Sequence, residues 1–248
     1  MLFAFANDIV NPADLFKERE FKDASGGTIK YRLLLPEVYD PAKKYPLVLF
    51  LHGAGERGAD NERQLVHGMG DMVKPDLRQR YPAFVVAPQC PEAKKWVEVS
   101  LDAASHSLPE HASEPLAQAA AMLEELSPEF SIDLDRIYVT GLSMGAFGAW
   151  DLLTRNPELF AAAIPICGGG DPKHVDQFKN IPIWAFHGER DETVKVERSR
   201  EMVAALQAAG GEPIYTEYEG VGHNSWANTY ANRAVWDWLF AQRRQPLK

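Results

Sequence analysis

The chain has little of several features that would assign it to a specialised class of protein. Its 248 residues include two cysteines, and no stretch approaches the roughly 18–20 consecutive apolar residues of a membrane-spanning helix. The net charge is −9 and no cluster of Lys and Arg offsets it, which argues against nucleic acid and anionic membranes as partners. Internal repeats and low-complexity tracts are also missing. What remains is an ordinary folded, globular protein.

Neither the cysteines nor the N-terminal residues identify the cellular compartment. Cys90 and Cys167 each follow a predicted strand, where small buried thiols are common, so we expect two free thiols. The apolar start at residues 2–6 is too short and too uncharged for a complete signal peptide. A cytoplasmic protein and a secreted protein whose signal has been removed both fit the sequence. The oligomeric state stays open as well.

Length and composition predict one domain. A hydrophobic fraction of 46% and a charged fraction of 25% are typical of globular proteins. Single α/β domains routinely reach this length, and such a chain buries roughly 70–75% of its extended surface on folding. We therefore assign residues 1–248 to a single domain.

The hydrophobic pattern predicts a doubly wound α/β sheet of about eight strands. Two alternating runs around Gly26 and Gly27 indicate an antiparallel N-terminal hairpin. After it come continuous apolar runs, which are typical of parallel strands buried on both faces. These runs lie at residues 45–53, 83–89, 136–143, 161–169, 181–188 and 213–220.

Helical patterns alternate with these strands. Ser113 is the predicted N-cap of the first of them. The helices are predicted at residues 113–130, 145–157, 194–211 and 230–244. The alternation breaks at residues 54–80 and 98–112, and we interpret the second break as a lid or a loop that shapes a site, with a solvated surface loop as the alternative.

A serine lies in a glycine-rich turn directly behind one buried strand. The pattern Gly141-x-Ser143-x-Gly145 predicts a tight strand-to-helix turn that presents the hydroxyl at the end of the sheet. By itself the motif is weak, because a glycine-rich turn with a capping serine gives the same pattern.

Two further polar residues follow later strands. His223 lies in GVGHNSW and Asp191 in GERDETV, so both reach the same edge of the sheet as Ser143. A serine hydroxyl needs a general base to attack an acyl carbon, and His223 is the predicted base. Asp191 would fix the tautomer of the imidazole and stabilise the imidazolium. The chain order Ser, Asp, His is that of α/β-hydrolases.

Each of these residues also has a structural interpretation. His223 alone fits an exposed loop histidine and Asp191 fits a helix N-cap, while Glu189 or Asp171 could supply the acid instead. These three motifs and the HGAGERG loop at residues 52–58 each follow a predicted strand, and their joint order favours a catalytic triad. The other histidines are interpreted as structural: His52, His106, His111 and His187.

An oxyanion site is predicted beside the serine. Charge on the carbonyl oxygen must be met by preorganised donors, and we assign the backbone N–H groups of Met144 and Ala54 to that task. Glycines at 53 and 55 let the backbone around Ala54 approach a substrate. No spacing of His, Cys and Asp resembles a metal site, and we expect no cofactor.

The motifs together resemble a known family. The segments LHGAGERGADN, APQCPEAKKWVEV, SHSLPEHASEPL, DRIYVTGLSMGAFGAWDLL and HGERDETV occur in family order. Over nearly its whole length the chain resembles the α/β-hydrolase esterases of the carboxylesterase/phospholipase type, close to feruloyl and acetylxylan esterases and to polyhydroxybutyrate depolymerase-like proteins. The resemblance implies an α/β-hydrolase fold and serine-ester hydrolysis by Ser143, Asp191 and His223. It also implies short-chain acyl or hydroxycinnamoyl (feruloyl-type) esters as substrates, either small molecules or polysaccharide-linked.

Two tryptophans fit the wall of an acyl pocket. Trp96 follows a strand end and Trp226 follows the predicted base by three residues, so both are assigned to substrate binding, with core or surface packing as the alternative. Three other functions remain open. A peptidase or a thioesterase would use the same triad, and a binding module on a hydrolase scaffold would not be catalytic.

Overall fold

One mixed sheet of eight strands forms the centre of the computed structural model, which describes residues 10–244. The strand order across the sheet is β1-β2-β4-β3-β5-β6-β7-β8. The strands are β1 (Lys17–Lys22), β2 (Thr28–Leu34), β3 (Tyr45–Leu51), β4 (Phe84–Pro88), β5 (Ile132–Leu142), β6 (Ala162–Ile166), β7 (Trp184–Gly188) and β8 (Ile214–Tyr218). The first two pair antiparallel, β2 is antiparallel to β4, and β3 to β8 run parallel. The predicted sheet and its N-terminal hairpin are confirmed.

Helices cover both faces of the sheet, which explains the continuous apolar strands. The helices are α1 (Pro12–Leu15), α2 (Met69–Met72), α3 (Pro75–Arg80), α4 (Glu114–Glu129), α5 (Met144–Arg155), α6 (Glu197–Ala208), α7 (Trp226–Ala231) and α8 (Arg233–Ala241). One core layer packs residues of α4, α5 and α6 on the sheet. The other packs residues of α2, α3, α7 and α8 on the opposite face.

The helix boundaries follow local capping chemistry. Ser113 caps α4 as predicted, because its side chain accepts a hydrogen bond from the Leu116 N–H. The predicted C-terminal helix is divided in two: α7 ends at Ala231, and the side chain of Asn232 accepts from the Ala234 N–H to begin α8. The segment at 54–80 contains two short 3-10 turns and the short helices α2 and α3.

The pairing between β6 and β7 is sparse, and we call it the β6–β7 junction. Within residues 10–244 the two strands pair at Ile166 and Phe186, with one isolated bridge between Ala163 and Ile183. The N–H groups of Ala163 and Cys167 point towards β7. Pro165 lies between them and has no N–H to donate, so the ladder is interrupted there.

Other sequence predictions have mixed outcomes in the described residues. Both cysteines are buried and free, as predicted. The apolar residues 2–6 lie outside the described part of the chain. Among residues 10–244, none of the helices has the length and apolar character needed to cross a membrane.

Candidate active site

A strained turn between β5 and α5 presents Ser143. The residue has a φ of 51°, in the region that L residues rarely adopt, and its N–H donates to the Ile166 carbonyl at 2.9 Å. The flanking glycines are required by packing. An ideal Cβ on Gly141 would lie 2.3 Å from the Gly145 carbonyl oxygen, and one on Gly145 would lie 1.9 Å from the Leu51 oxygen. The glycine pattern therefore encodes the turn sterically.

Three predicted residues meet at this turn. His223 Nε2 lies 2.9 Å from Ser143 Oγ, and His223 Nδ1 lies 2.7 Å from Asp191 Oδ2. The Asp191 side chain is fully buried, whereas the His223 side chain is 22% exposed. An ionised carboxylate at Nδ1 requires the ring proton on that nitrogen. Nε2 is then the acceptor that faces the serine hydroxyl.

The Asp191 carboxylate is held ionised by its hydrogen-bond donors. Burial acts to raise its pKa, but donation from His187, His223 and the Val194 N–H outweighs burial and holds the pKa well below its usual range. Oδ1 accepts from the N–H groups of Thr193 and Val194, each at 2.9 Å. The acid is thus a fixed anion.

The alternative acids lie in other contacts. Glu189 Oε2 accepts from the Gly220 N–H at 2.7 Å, on an exposed turn. Asp171 Oδ2 accepts from the Leu108 N–H at 2.9 Å, and its Oδ1 accepts from the Lys173 N–H at 3.1 Å. The structure brings Asp191, rather than either alternative, to the imidazole of His223.

The two assigned oxyanion donors lie at adjoining backbone turns. Met144 is the first residue of α5, and Ala54 begins a 3-10 turn (Ala54–Glu56) that follows β3. Their turns adjoin because Leu51 at the end of β3 pairs with Gly141 and touches Gly145. Within residues 10–244, neither N–H donates a hydrogen bond.

His52 fixes the turn that carries Ala54. Its Nδ1–H donates to the Gly53 carbonyl at 2.6 Å, and its Nε2 accepts from the Cys90 N–H at 2.9 Å. Burial lowers its pKa to about 4, so the ring is neutral at physiological pH. This histidine is structural, in agreement with its sequence interpretation.

The two tryptophans differ in their surroundings. Trp96 is fully buried, and its indole N–H donates to the His52 carbonyl at 3.0 Å. It presents no surface to a substrate, which favours core packing, the alternative given for this residue, over substrate binding. Trp226 is half-buried, and its ring meets that of His223 edge-on, with centroids 5.1 Å apart.

Cys167 was not assigned to the site by sequence, yet it lies there. One ligand atom each of Cys167, Asp191 and His223 lie within 4.8 Å of one another. The atoms of Asp191 and His223 already serve the hydrogen bonds described above. Burial raises the pKa of the thiol, which keeps it protonated and a poor metal ligand. Its position directly after β6, the neighbour of the strand β5 that precedes Ser143, was the available signal.

The irregular segment 98–112 is held by hydrogen bonds to the residues around it. Arg198 donates to the Ala104 carbonyl at 3.1 Å and to His106 Nδ1 at 2.7 Å. Arg155 donates to the Pro109 carbonyl at 2.6 Å, and Asp171 accepts from the segment as noted. The buried Arg198 and Asp171 and the half-buried Arg155 thus hold the loop at several points.

The fold and the hydrogen-bonded serine, histidine and aspartate define the class of α/β-hydrolases. A family model described as phospholipase/carboxylesterase matches residues 36–232. The chain belongs to this family.

Comparison with individual proteins adds detail. A solved thermostable esterase is 45% identical, with a TM-score of 0.86, and the match covers 93% of this chain and 64% of that one. Poly(3-hydroxyalkanoate) depolymerase C of Paucimonas lemoignei is 31% identical over 124 residues, which are 50% of this chain and 28% of that protein. A ferulic acid esterase from Anaeromyces mucronatus, solved with ferulic acid, shares the fold at 17% identity and a TM-score of 0.64, covering 92% of this chain and 90% of that one. The chain spans between 21% and 28% of the length of the curated relatives it matches.

Proposed function

We propose that the protein is a serine carboxylic-ester hydrolase that acts through an acyl-enzyme on short-chain acyl or hydroxycinnamoyl esters. The observation that carries the proposal is the continuous hydrogen-bond path from Ser143 Oγ through His223 to Asp191. A serine on a strained turn, a base within 2.9 Å and an ionised buried acid are the requirements of nucleophilic acyl transfer.

In the first step, the serine oxygen attacks the ester carbonyl carbon while His223 Nε2 removes its proton. The carbonyl π electrons move to the oxygen, and the resulting anion lies against the N–H groups of Met144 and Ala54. Each such donor contributes about 3–4 kcal/mol to stabilising that anion. Asp191 stabilises the imidazolium that forms.

In the second step, the tetrahedral intermediate collapses and the bond to the alcohol oxygen breaks. The imidazolium of His223 donates its Nε2 proton to that oxygen, so the alcohol leaves neutral and the acyl group stays on Ser143. Water then repeats the sequence. His223 removes a proton from water while the water oxygen attacks the acyl carbon, and the bond between that carbon and Ser143 Oγ breaks. The imidazolium returns the proton to Oγ, and the carboxylic acid is released.

The acyl preference rests on the surroundings of His223. Trp226 places a flat, half-buried indole against the imidazole, which suits a planar acyl group beside the reacting carbon. The thermostable esterase and the ferulic acid esterase that share the fold support ester chemistry on this scaffold. Both small esters and esters linked to a polysaccharide are within this proposal.

The nucleophile is tested by Ser143→Ala. The wild type and the variant are assayed on p-nitrophenyl acetate, butyrate and octanoate and on methyl ferulate, with circular dichroism spectra compared. We expect kcat/KM of the variant to fall by about four orders of magnitude or more. Equal activity of the two proteins, or a wild type inert on every ester, would overturn the proposal. If the wild type hydrolysed only peptides or only thioesters, the same triad would belong to a peptidase or a thioesterase instead.

The acid is tested by a matched pair. Asp191→Asn removes the anion that His223 faces, and we expect kcat to fall by about 10³–10⁴-fold. Glu189→Gln makes the same chemical change two residues away, on the exposed turn, and we expect activity within about twofold of wild type. If Glu189→Gln were the inactive variant, the assignment of the acid would be wrong.

A further inference from the structure

A second histidine lies against the carboxylate of the proposed triad. His187 is at the end of β7, is fully buried, and comes four residues before Asp191. Its Nε2 hydrogen-bonds with the Val194 carbonyl at 2.9 Å and lies 3.1 Å from Asp191 Oδ2. The mechanism above makes no use of this residue.

The surroundings of Nε2 settle where one ring proton lies. Both atoms facing Nε2, the Val194 carbonyl oxygen and Asp191 Oδ2, accept hydrogen bonds and have none to donate. A lone pair on Nε2 would repel both inside the protein, where an unmade hydrogen bond is costly. His187 therefore carries a proton on Nε2, which hydrogen-bonds with the Val194 carbonyl while Asp191 Oδ2 lies 3.1 Å from the same nitrogen.

The other ring nitrogen connects to the segment beside the nucleophile. His187 Nδ1 lies 2.8 Å from Ser199 Oγ on α6, and Ser199 Oγ lies 3.0 Å from the Gly168 carbonyl oxygen. Gly168 packs directly against the Ser143 turn, since a Cβ on it would lie 3.0 Å from the Ser143 carbonyl oxygen. His187 is thus held at both ends.

We propose that His187 is a positioning residue, whose Nε2–H shares the Asp191 carboxylate with His223 and so limits how strongly that carboxylate favours the imidazolium. The role rests on the proposed serine-hydrolase function. A carboxylate oxygen with a second donor is a weaker acceptor for the first. His187 also holds Asp191 in line with the imidazole, because the carboxylate is fixed by backbone N–H groups on Oδ1 and by two rings on Oδ2.

Outside the proposed triad, the other charged and titratable groups near His187 and on the elements beside it keep one state across neutral pH. On β8, Glu217 pairs in register with His187, and its pKa is lowered, first by its hydrogen bond with Arg200. On α6, Arg198 is charged and paired with Glu201. After β6, burial raises the pKa of the Cys167 thiol. None of these groups changes its charge near neutral pH, so none of them would shift the acid limb of the activity profile.

Two variants separate positioning from packing. His187→Leu removes the donor to Asp191, and His187→Gln keeps an N–H at the reach of Nε2. For His187→Leu we expect a lower kcat and an acid limb of kcat/KM against pH displaced to higher pH by about 0.5 unit or more, roughly threefold in proton affinity. For His187→Gln we expect the acid limb to stay near that of wild type. A loss of kcat in His187→Leu with an unshifted limb would show a merely structural role.

A measurement on the wild type does not depend on whether the variants fold. In ¹⁵N-histidine-labelled protein, long-range ¹H–¹⁵N spectra report the protonation of each ring nitrogen, with the His187 signals assigned in the wild type by nuclear Overhauser effects to its neighbours Val194 and Ser199. We expect His187 Nε2 to carry a proton at neutral pH, and an unprotonated Nε2 would overturn the inference. If Ser143→Ala kept full activity instead, the proposed function would fail while this spectrum still stood.

Discussion

The replacement Gly145→Ala tests whether the packing of the serine turn sets the rate. An ideal Cβ at this position would lie 1.9 Å from the Leu51 oxygen and 2.8 Å from the His52 oxygen, whereas ordinary contact begins at 3.4 Å. Both neighbours are backbone atoms, so no side-chain rotation relieves the overlap. The start of α5 and the end of β3 must separate by about 1.5 Å, and this separation carries Met144 away from Ala54.

A displacement of that size has a kinetic and a thermodynamic cost. A misplacement of about 1 Å costs roughly 10²-fold in rate, so we expect kcat/KM on p-nitrophenyl acetate to fall at least that far. Overpacking costs about 1–3 kcal/mol, which lowers the melting temperature by roughly 2–12 °C in a domain of this size.

Gly70→Ala is the control for this experiment. It makes the same chemical change where no atom lies within 4 Å of the new Cβ, so we expect activity and melting temperature near those of wild type. If Gly145→Ala were as active and as stable as Gly70→Ala, the steric account of the glycine pattern would be refuted.

Further predictions follow from other parts of the structure. Burial raises the pKa of Cys90 to about 12 and raises that of Cys167, so native protein should show no rapid reaction with a disulfide reagent near pH 8, and denatured protein should show two thiols. Asp171→Ala removes the acceptor for the Leu108 N–H and should increase chymotryptic cleavage within residues 98–112. Unchanged cleavage would show that Asp171 does not hold this segment. Burial acts to raise the pKa of Asp171, but backbone N–H donors outweigh it and lower the pKa. The hydrogen bond from Leu108 to the ionised carboxylate should therefore persist above about pH 4 and weaken as the pH falls below that value. Trp226→Ala should lower activity on methyl ferulate more than on p-nitrophenyl acetate, and equal losses would remove Trp226 from the acyl pocket. Because the imidazole of His223 must be neutral to act as a base, kcat/KM should rise from acid towards neutral pH and hold at mildly alkaline pH.

The fold was predictable from the sequence where hydrophobic pattern and capping agree. Strands buried on both faces give continuous apolar runs, and Ser113 marks the start of α4. The boundaries were less predictable where tertiary contacts override local pattern. β5 begins at Ile132, four residues before the predicted start, because its polar N-terminal part pairs with β3 at Tyr45. The division between α7 and α8 depends on the side chain of Asn232.

The same distinction applies to the candidate site. The serine, aspartate and histidine were found because each lies at a strand end that the pattern identifies. The burial of Trp96 could not be predicted because it depends on a residue distant in sequence: a Cβ on Gly148 of α5 would lie 2.9 Å from the Cβ of Trp96. The contact between His187 and Asp191 depends on side-chain geometry at the end of β7, which hydrophobic periodicity does not report.

The β6–β7 junction divides the proposed catalytic machinery. Ser143 belongs to the part of the sheet that includes β5 and β6, whereas Asp191 and His223 follow β7 and β8. The ladder between those parts is interrupted at Pro165. A small parting of the two halves would separate nucleophile from base while most secondary structure persists. With increasing denaturant, ester hydrolysis would then be lost before the far-ultraviolet circular dichroism signal. The rate of turnover would therefore report partial unfolding that circular dichroism does not detect.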